Sequence, residues 1–128
     1  MPKQMEPGIL YVAEQFGAAA HLCACGCGEK IRTPLGPTEW SLDGMRDDRP
    51  SLWPSVGNWQ KACQSHYWIQ RGVVIWDRKW TPKEIAAGRR REEERRQSYY
   101  DALYQRPRGL LRGIWTTVTR HLSFRKKR

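Results

Sequence analysis

The sequence contains no apolar run long enough to cross a membrane. Only 39% of its 128 residues are hydrophobic and its mean hydropathy is −0.79, whereas a spanning helix needs about 20 consecutive apolar residues. A basic stretch followed by an apolar run, the pattern of a secretory signal, is also missing from the N-terminal part. We therefore expect a cytoplasmic chain in a reducing compartment, where clustered cysteines bind metals more often than they form disulfides.

Acidic residues are missing from the last 23 residues, 106–128, which carry eight lysines and arginines. Residues 1–80 and 81–105 are each nearly neutral, so this tail holds eight of the ten net positive charges. It also has apolar residues at helical spacing, namely Leu111, Ile114, Trp115, Val118 and Leu122. A basic amphipathic segment of this kind can dock on the rest of the chain or on a protein partner. It can also bind nucleic acid or lie on an anionic membrane.

The remaining sequence predicts an α+β fold with short elements. Strand-like runs occupy residues 8–14, 29–35 and 38–42, residues 51–59 read as an edge or irregular strand, and 67–69 and 73–76 read as a hairpin. Thr81, Pro82 and Glu84 form a capping box with a proline start, which predicts a charged helix over 81–105. We therefore predict three parts: a small zinc-stapled antiparallel β domain (1–80), the charged helix (81–105) and the basic tail (106–128).

The cysteines suggest a zinc site made of two chelating turns. Three of the four lie in "CACGCG" at positions 23, 25 and 27, and the fourth, Cys63, precedes His66 by three residues. Zinc prefers thiolate and imidazole ligands in a tetrahedron, and the glycines after the second and third cysteines allow a left-handed backbone there. Five groups then compete for four places. We take Cys25, Cys27, Cys63 and His66 as the core set and Cys23 as an alternative ligand or a free thiol.

The sequence favours a structural zinc over a catalytic one. A thiolate-rich shell weakens the metal as a Lewis acid, and no H-E-x-x-H or H-x-E pattern is present, which disfavours zincin peptidases and nucleoside deaminases. Three residues are candidates for catalysis. Glu29 could act as a base beside an open metal position, and Ser55 and Ser65 could react or orient a substrate. A serine beside a proline turn, like Ser55, or between two metal ligands, like Ser65, more often hydrogen-bonds the backbone or a sulfur than reacts. A hydrolase that uses a spare cysteine with His66 as base is a further alternative.

Taken together, "CACGCGEKI", "SLWPSVGNW", "CQSHYWI" and "GVVIW" resemble a small bacterial and phage zinc-binding family of unknown function. The resemblance covers residues 8–76, and its matched positions are Cys23, Cys25, Cys27, Pro54, Ser55, Cys63, Ser65 and His66. It implies a β-rich zinc-binding fold encoded beside ubiquitin-like modification genes, with a peptidase or accessory role.

These observations predict a zinc-binding module that acts on or with protein partners, such as a ubiquitin-like protein or its conjugation machinery. The first alternative is a zinc- or Cys/His-dependent peptidase or deconjugase. The second is a nucleic-acid-binding zinc protein that uses the basic tail.

Overall fold

A computed structural model describes residues 1–105 and 119–127 of the chain. Over these residues it is an α+β fold, as the sequence predicts. The strands are β1 Ile9–Ala13, β2 Ala18–Leu22, β3 Lys30–Pro34, β4 Ser41–Asp43, β5 Ser51–Gly57, β6 His66–Gln70, β7 Val73–Trp76, β8 Thr119–Ser123 and β9 Arg125–Lys127. A single 3-10 turn, Glu14–Phe16, joins β1 to β2, and the helix α1 spans Pro82–Tyr104.

The strands form two sheets. The first has the order β3-β2-β1-β8 and is antiparallel, and the second has the order β4-β5-β6-β7-β9. Within the second sheet only β9 is parallel to its neighbour. The predicted hairpin is present as β6 and β7, with Arg71 and Gly72 of its turn at positive φ. β2 has no counterpart among the predicted strands, because its run of three alanines lacks the β-branched and aromatic residues that mark strands.

One core joins the two sheets. Its buried members come from both of them: Leu10, Val12, Ala19 and Ile31 in the first sheet, Leu52, Val56, Tyr67, Ile69 and Val74 in the second, with Leu122 and Phe124. Leu10 and Val12 alternate along β1 toward this core, as period-two strand geometry requires. The cysteine segment reaches the same core through Cys23 and Ala24.

The end of the basic tail lies inside this fold. Helical spacing assigns Leu122 to an amphipathic helix, but β8 pairs with β1 over five residues, and Leu122, opposite Leu10, is buried. β9 then pairs with β7 in the second sheet. The apolar spacing of so short a run is compatible with a helix and with a strand. Pairing with β1 makes this segment a strand. The other apolar tail residues lie within 106–118, outside the described residues.

The helix begins where the sequence predicts. The Thr81 hydroxyl accepts a hydrogen bond from the Glu84 N–H, and the Glu84 carboxylate accepts one from the Thr81 N–H, which completes the capping box. Trp80 packs directly against Gly88, where an added Cβ would lie 2.8 Å from the indole. This contact packs the Trp80 indole against the first turns of α1. In the described part of the chain, no helix has the length and apolar character to span a membrane.

Candidate functional site: a serine–histidine pair beside a four-cysteine cluster

Four cysteine sulfurs lie together at one end of the core. The Sγ atoms of Cys23, Cys25, Cys27 and Cys63 are all within 4.8 Å of one another, and none forms a disulfide. The Sγ of Cys23 lies 3.3 Å from that of Cys25 and 3.9 Å from that of Cys63. A tetrahedral zinc with Zn–S bonds of about 2.3 Å separates its sulfurs by about 3.8 Å. Both the donor set and its spacing therefore fit a tetrahedral thiolate-bound metal.

The backbone of the first cysteine turn is shaped by glycine. Gly26 and Gly28 have φ of +89° and +84°, the left-handed region that the sequence predicts for them. The Cys23 N–H bonds the Glu29 carbonyl at 2.8 Å and closes the turn at its base. Three thiols therefore come within reach of one another over only five residues.

The surroundings of the cluster shift the pKa values of Cys25 and Cys63 in opposite directions. Burial, together with hydrogen bonds to the thiols of Cys23 and Cys27, raises the pKa of Cys25 to about 12. Burial acts in the same direction on Cys63, but the Ser65 hydroxyl and N–H outweigh it and lower the pKa of Cys63 to about 7. A bound divalent cation would favour the thiolate at each position.

Ser65 is buried against the sulfurs. Its Oγ lies 3.1 Å from the Sγ of Cys23 and 3.4 Å from that of Cys63. It also accepts a 2.8 Å hydrogen bond from the Asn58 side-chain amide, which lies 3.6 Å from the Cys23 sulfur. Ser65 and Asn58 thus join the cysteine cluster to the loop between β5 and β6.

His66 is not among the groups that converge with the sulfurs, although the sequence placed it in the core ligand set. Its Nε2 lies 2.8 Å from Ser55 Oγ, and its Nδ1 lies 2.7 Å from the backbone carbonyl of Arg78. A carbonyl can only accept, so Nδ1 carries a hydrogen and donates a hydrogen bond to the Arg78 carbonyl. In the neutral imidazole Nε2 is then the nitrogen without a hydrogen, and it accepts a hydrogen bond from the Ser55 hydroxyl.

An irregularity in β5 brings Ser55 to this histidine. Between the pairs Leu52–Ile69 and Val56–Tyr67, three residues of β5 lie opposite the single residue Trp68 of β6. A bulge of this kind bends the strand and re-aims side chains. Gly57, directly opposite His66, places no side chain beside the imidazole on that face of the sheet.

Two indole rings enclose the histidine. The ring centroid of His66 is 4.9 Å from that of Trp59 and 5.3 Å from that of Trp80, and the two indoles stack on each other at 5.6 Å. Gly57 permits this packing, because an added Cβ would lie 2.6 Å from the Trp59 ring nitrogen. His66 is consequently buried while Ser55 stays half-buried and reachable.

A carboxylate stands near the outer side of the histidine. Asp77 Oδ2 lies 4.0 Å from His66 Nδ1, beyond hydrogen-bond distance. Asp77 accepts hydrogen bonds from the Trp68 indole at 3.1 Å and from the Arg78 N–H at 2.8 Å, and these bonds lower the pKa of its carboxyl group. Asp77 is therefore ionised at neutral pH and contributes negative charge near the ring.

The carbonyl that orients His66 belongs to a braced segment. The Arg78 guanidinium makes a two-pronged ion pair with Glu84, the capping-box carboxylate of α1. The N-terminus of the helix therefore holds the strand-to-helix connection that carries both Asp77 and the Arg78 carbonyl.

Ser55 and His66 open onto a cleft of about 490 Å³. Its walls come from β3, from the β5–β6 region and from the first turns of α1: Lys30, Ile31, Arg32, Trp40, Pro54, Gly57, Asn58, Trp59, Gln60, Lys61, Trp80, Ile85, Gly88, Arg89 and Glu92. The cleft is large enough for several residues of a peptide and has an ordered serine–histidine pair in its wall.

A family model described as "Bacterial ubiquitination-like system serine protease (BubE)" matches residues 1–77. The chain belongs to this family. The match confirms the link to bacterial ubiquitin-like modification that the resemblance implied, and it extends through Asp77 at the edge of the site. No curated protein and no solved structure matches the chain.

The geometry separates the predicted site residues into two groups. The four cysteines come together with Ser65, whereas Ser55 lies with His66. Glu29 is exposed and pairs with Lys61 at 3.3 Å, outside the sulfur group. Sequence reasoning missed Asp77 and the Arg78 carbonyl. One signal in the sequence could have separated the two groups. Four cysteines are enough to complete a tetrahedral metal site, so His66 is not needed as a ligand.

Proposed function

We propose that this chain is a serine peptidase in which Ser55 is the nucleophile and His66 the general base. The observation that carries the proposal is the 2.8 Å contact between Ser55 Oγ and His66 Nε2, in a ring whose Nδ1 bonds the Arg78 carbonyl at 2.7 Å. A nucleophile bonded to a base that a third group orients is the recognised arrangement for acyl transfer. The family description supports the same reaction class.

The residues would divide the reaction as follows. Ser55 Oγ attacks the scissile carbonyl carbon while its proton passes to His66 Nε2. The resulting imidazolium is stabilised by the Arg78 carbonyl and by the charge of Asp77. His66 then donates the proton to the leaving amine as the C–N bond breaks, and water releases the acyl group from Ser55 by the reverse proton transfers. The cleft-lining N–H of Gly57 is a candidate donor to the oxyanion.

The four cysteines are proposed to hold one structural zinc ion. Zinc bound there would cross-link the 23–27 turn to the loop before β6. Thiolate ligands in all four positions would leave no open coordination position for substrate. Cys63 and His66 are three residues apart, and Ser65 between them contacts two sulfurs. The zinc site therefore fixes the start of β6, from which the catalytic base projects.

The family description names a serine protease of a bacterial ubiquitination-like system, and we propose that the substrate is a protein of that system. Thr119–Ser123 and Arg125–Lys127 are strands of the two sheets, and residues 106–118 lie outside the described residues, so nucleic-acid or membrane binding by the tail stays a prediction. The cytoplasmic location stays a prediction.

Labelling with a serine-directed fluorophosphonate tests the proposal without knowledge of the substrate. The full-length metal-loaded chain should be phosphonylated once, at Ser55, and Ser55→Ala should not react. His66→Ala should react far more slowly, since the hydroxyl loses its base. Ser98→Ala, which truncates an exposed serine on α1, is the matched control and should label like the wild type. Labelling that persists in Ser55→Ala, or no labelling of the folded wild type, would refute the assignment.

A further inference from the structure

The free edge of β3 carries unpaired backbone groups. At the two ends of the β2–β3 ladder, the Leu35 N–H bonds the Gly17 carbonyl at 2.7 Å and the Cys23 N–H bonds the Glu29 carbonyl at 2.8 Å. Antiparallel ladders alternate between bonded and non-bonded pairs, and the register of β2 with β3 is continuous between these bonds. The odd-numbered residues of β3 therefore direct their backbone N–H and C=O groups toward β2.

The even-numbered residues, Lys30 and Arg32, consequently direct their N–H and C=O groups away from β2. The next even residue confirms this parity, because the outward carbonyl of Pro34 accepts a 3.0 Å bond from the Trp40 N–H. No strand of the described chain lies beyond β3 in its sheet. The backbone groups of Lys30 and Arg32 make no hydrogen bond among the described residues.

This edge borders the cleft of the proposed nucleophile. Lys30, Ile31 and Arg32 line the same cleft as Ser55 and His66. On the other wall, the Asn58 N–H bonds the Ser65 carbonyl, so the adjacent pair, Gly57–His66, is of the non-bonded type. Gly57 therefore also points its backbone groups away from β6, and β4 pairs with β5 only opposite residues 51–53.

The cleft carries more positive than negative charge. Its charged lining residues are Lys30, Arg32, Lys61, Arg89 and Glu92. Lys61 is neutralised by Glu29, but Lys30, Arg32 and Arg89 form no ion pair with described residues. Charged side chains on an edge strand ordinarily keep it from pairing with other chains. Here the charges share one sign and flank a reactive serine, which fits a ligand that brings the opposite charge.

We propose that the substrate binds as an extended, acidic peptide segment that adds a strand to the free edge of β3. The N–H and C=O groups of Arg32 and Lys30 pair with the peptide backbone, and the cationic side chains of the cleft select carboxylates near the scissile bond. Strand addition of this kind obtains affinity from the main chain and specificity from side chains. The inference rests on the proposed peptidase function, since the peptide must pass Ser55.

Arg32→Pro tests the backbone contribution. Proline removes the outward N–H and is tolerated on an edge strand where that N–H faces solvent, whereas Arg32→Ala removes only the side chain. The probe is a library of proteome-derived peptides with blocked amines, in which new N-termini are counted by mass spectrometry. Loss of one hydrogen-bond donor should slow cleavage by Arg32→Pro about tenfold relative to Arg32→Ala. Wild-type cleavage sites should be enriched in Asp and Glu, and Arg32→Glu should lose that enrichment.

Fluorophosphonate labelling separates this inference from the proposed function. All three Arg32 variants should still be labelled at Ser55, because the small probe does not pair with the strand edge. If the wild type is labelled but cleaves no library peptide, or if folded Arg32→Pro cleaves as fast as Arg32→Ala, strand addition is refuted while the nucleophile stands. Absence of acidic enrichment refutes the charge selection. Failure of labelling itself refutes the peptidase and the inference with it.

Discussion

The role of Asp77 provides the most discriminating test of the site. In a serine–histidine–aspartate triad the carboxylate accepts the Nδ1–H bond, and its loss costs about 10⁴-fold in rate. Here the Arg78 carbonyl takes that bond at 2.7 Å and Asp77 Oδ2 is 4.0 Å away. Asp77→Asn keeps the shape of the side chain and an oxygen for the Trp68 indole, while it removes the charge and the acceptor for the exposed Arg78 N–H bond.

The expected loss of rate in Asp77→Asn follows from the 4.0 Å distance between Asp77 Oδ2 and His66 Nδ1. Two unit charges 4 Å apart interact by about 1 kcal/mol in water and by about 4 kcal/mol at an effective dielectric constant of about 20. The Asp77 side chain is 40% exposed, so solvent screening places the value near the lower limit, about 1–2 kcal/mol. We therefore expect Asp77→Asn to slow Ser55 acylation by about 5- to 30-fold, because the imidazolium charge develops only as the reaction proceeds.

The assay is the second-order rate of fluorophosphonate labelling at neutral pH, with His66→Ala as the reference for loss of the base. Asp77→Ala should resemble Asp77→Asn, since both remove the same charge. A loss near 10⁴-fold in Asp77→Asn, equal to that of His66→Ala, would show that Asp77 itself orients the ring. The inferred role of the Arg78 carbonyl would then be incorrect.

Three further predictions concern stability. Leu122→Ala should lower the unfolding free energy by about 2–5 kcal/mol in urea titrations, because it truncates a buried side chain; a change no larger than that of the exposed His121→Ala would contradict the position of β8. The purified protein should hold about one zinc per chain, and chelation or Cys63→Ala should lower its melting temperature sharply; a metal-free protein with an unchanged melting temperature would exclude the site. Burial lowers the pKa of His21 from 6.5 to about 4, so the unfolded chain takes up this proton first as the pH falls. Between pH 6.5 and 4, His21 should therefore lower the unfolding free energy by up to about 1.4 kcal/mol for each pH unit of acidification. Urea titrations of His21→Gln should lack this contribution.

Much of the architecture follows from local patterns. The capping box at Thr81, the hairpin turn at Arg71–Gly72 and the positive φ of Gly26 and Gly28 each depend on a few adjacent residues, and each was predictable. The pairing of the "CACGCG" segment with Cys63 was predictable for a chemical reason, since clustered thiols in a reducing compartment need a metal. The sequence by itself thus determined the fold class, the helix and the two halves of the cysteine cluster.

The tertiary structure decided how these parts are used. Whether His66 joins the sulfurs or faces Ser55 depends on the bulge in β5 and on the register of β5 with β6, and a shift of one residue turns a side chain to the opposite face. The Arg78 carbonyl can orient the histidine only because the chain bends back from β7 into α1. Leu122 belongs to a strand because β1 offers it a partner more than a hundred residues earlier in the chain. Such pairings are fixed by packing between distant segments, and no local pattern in either segment contains them.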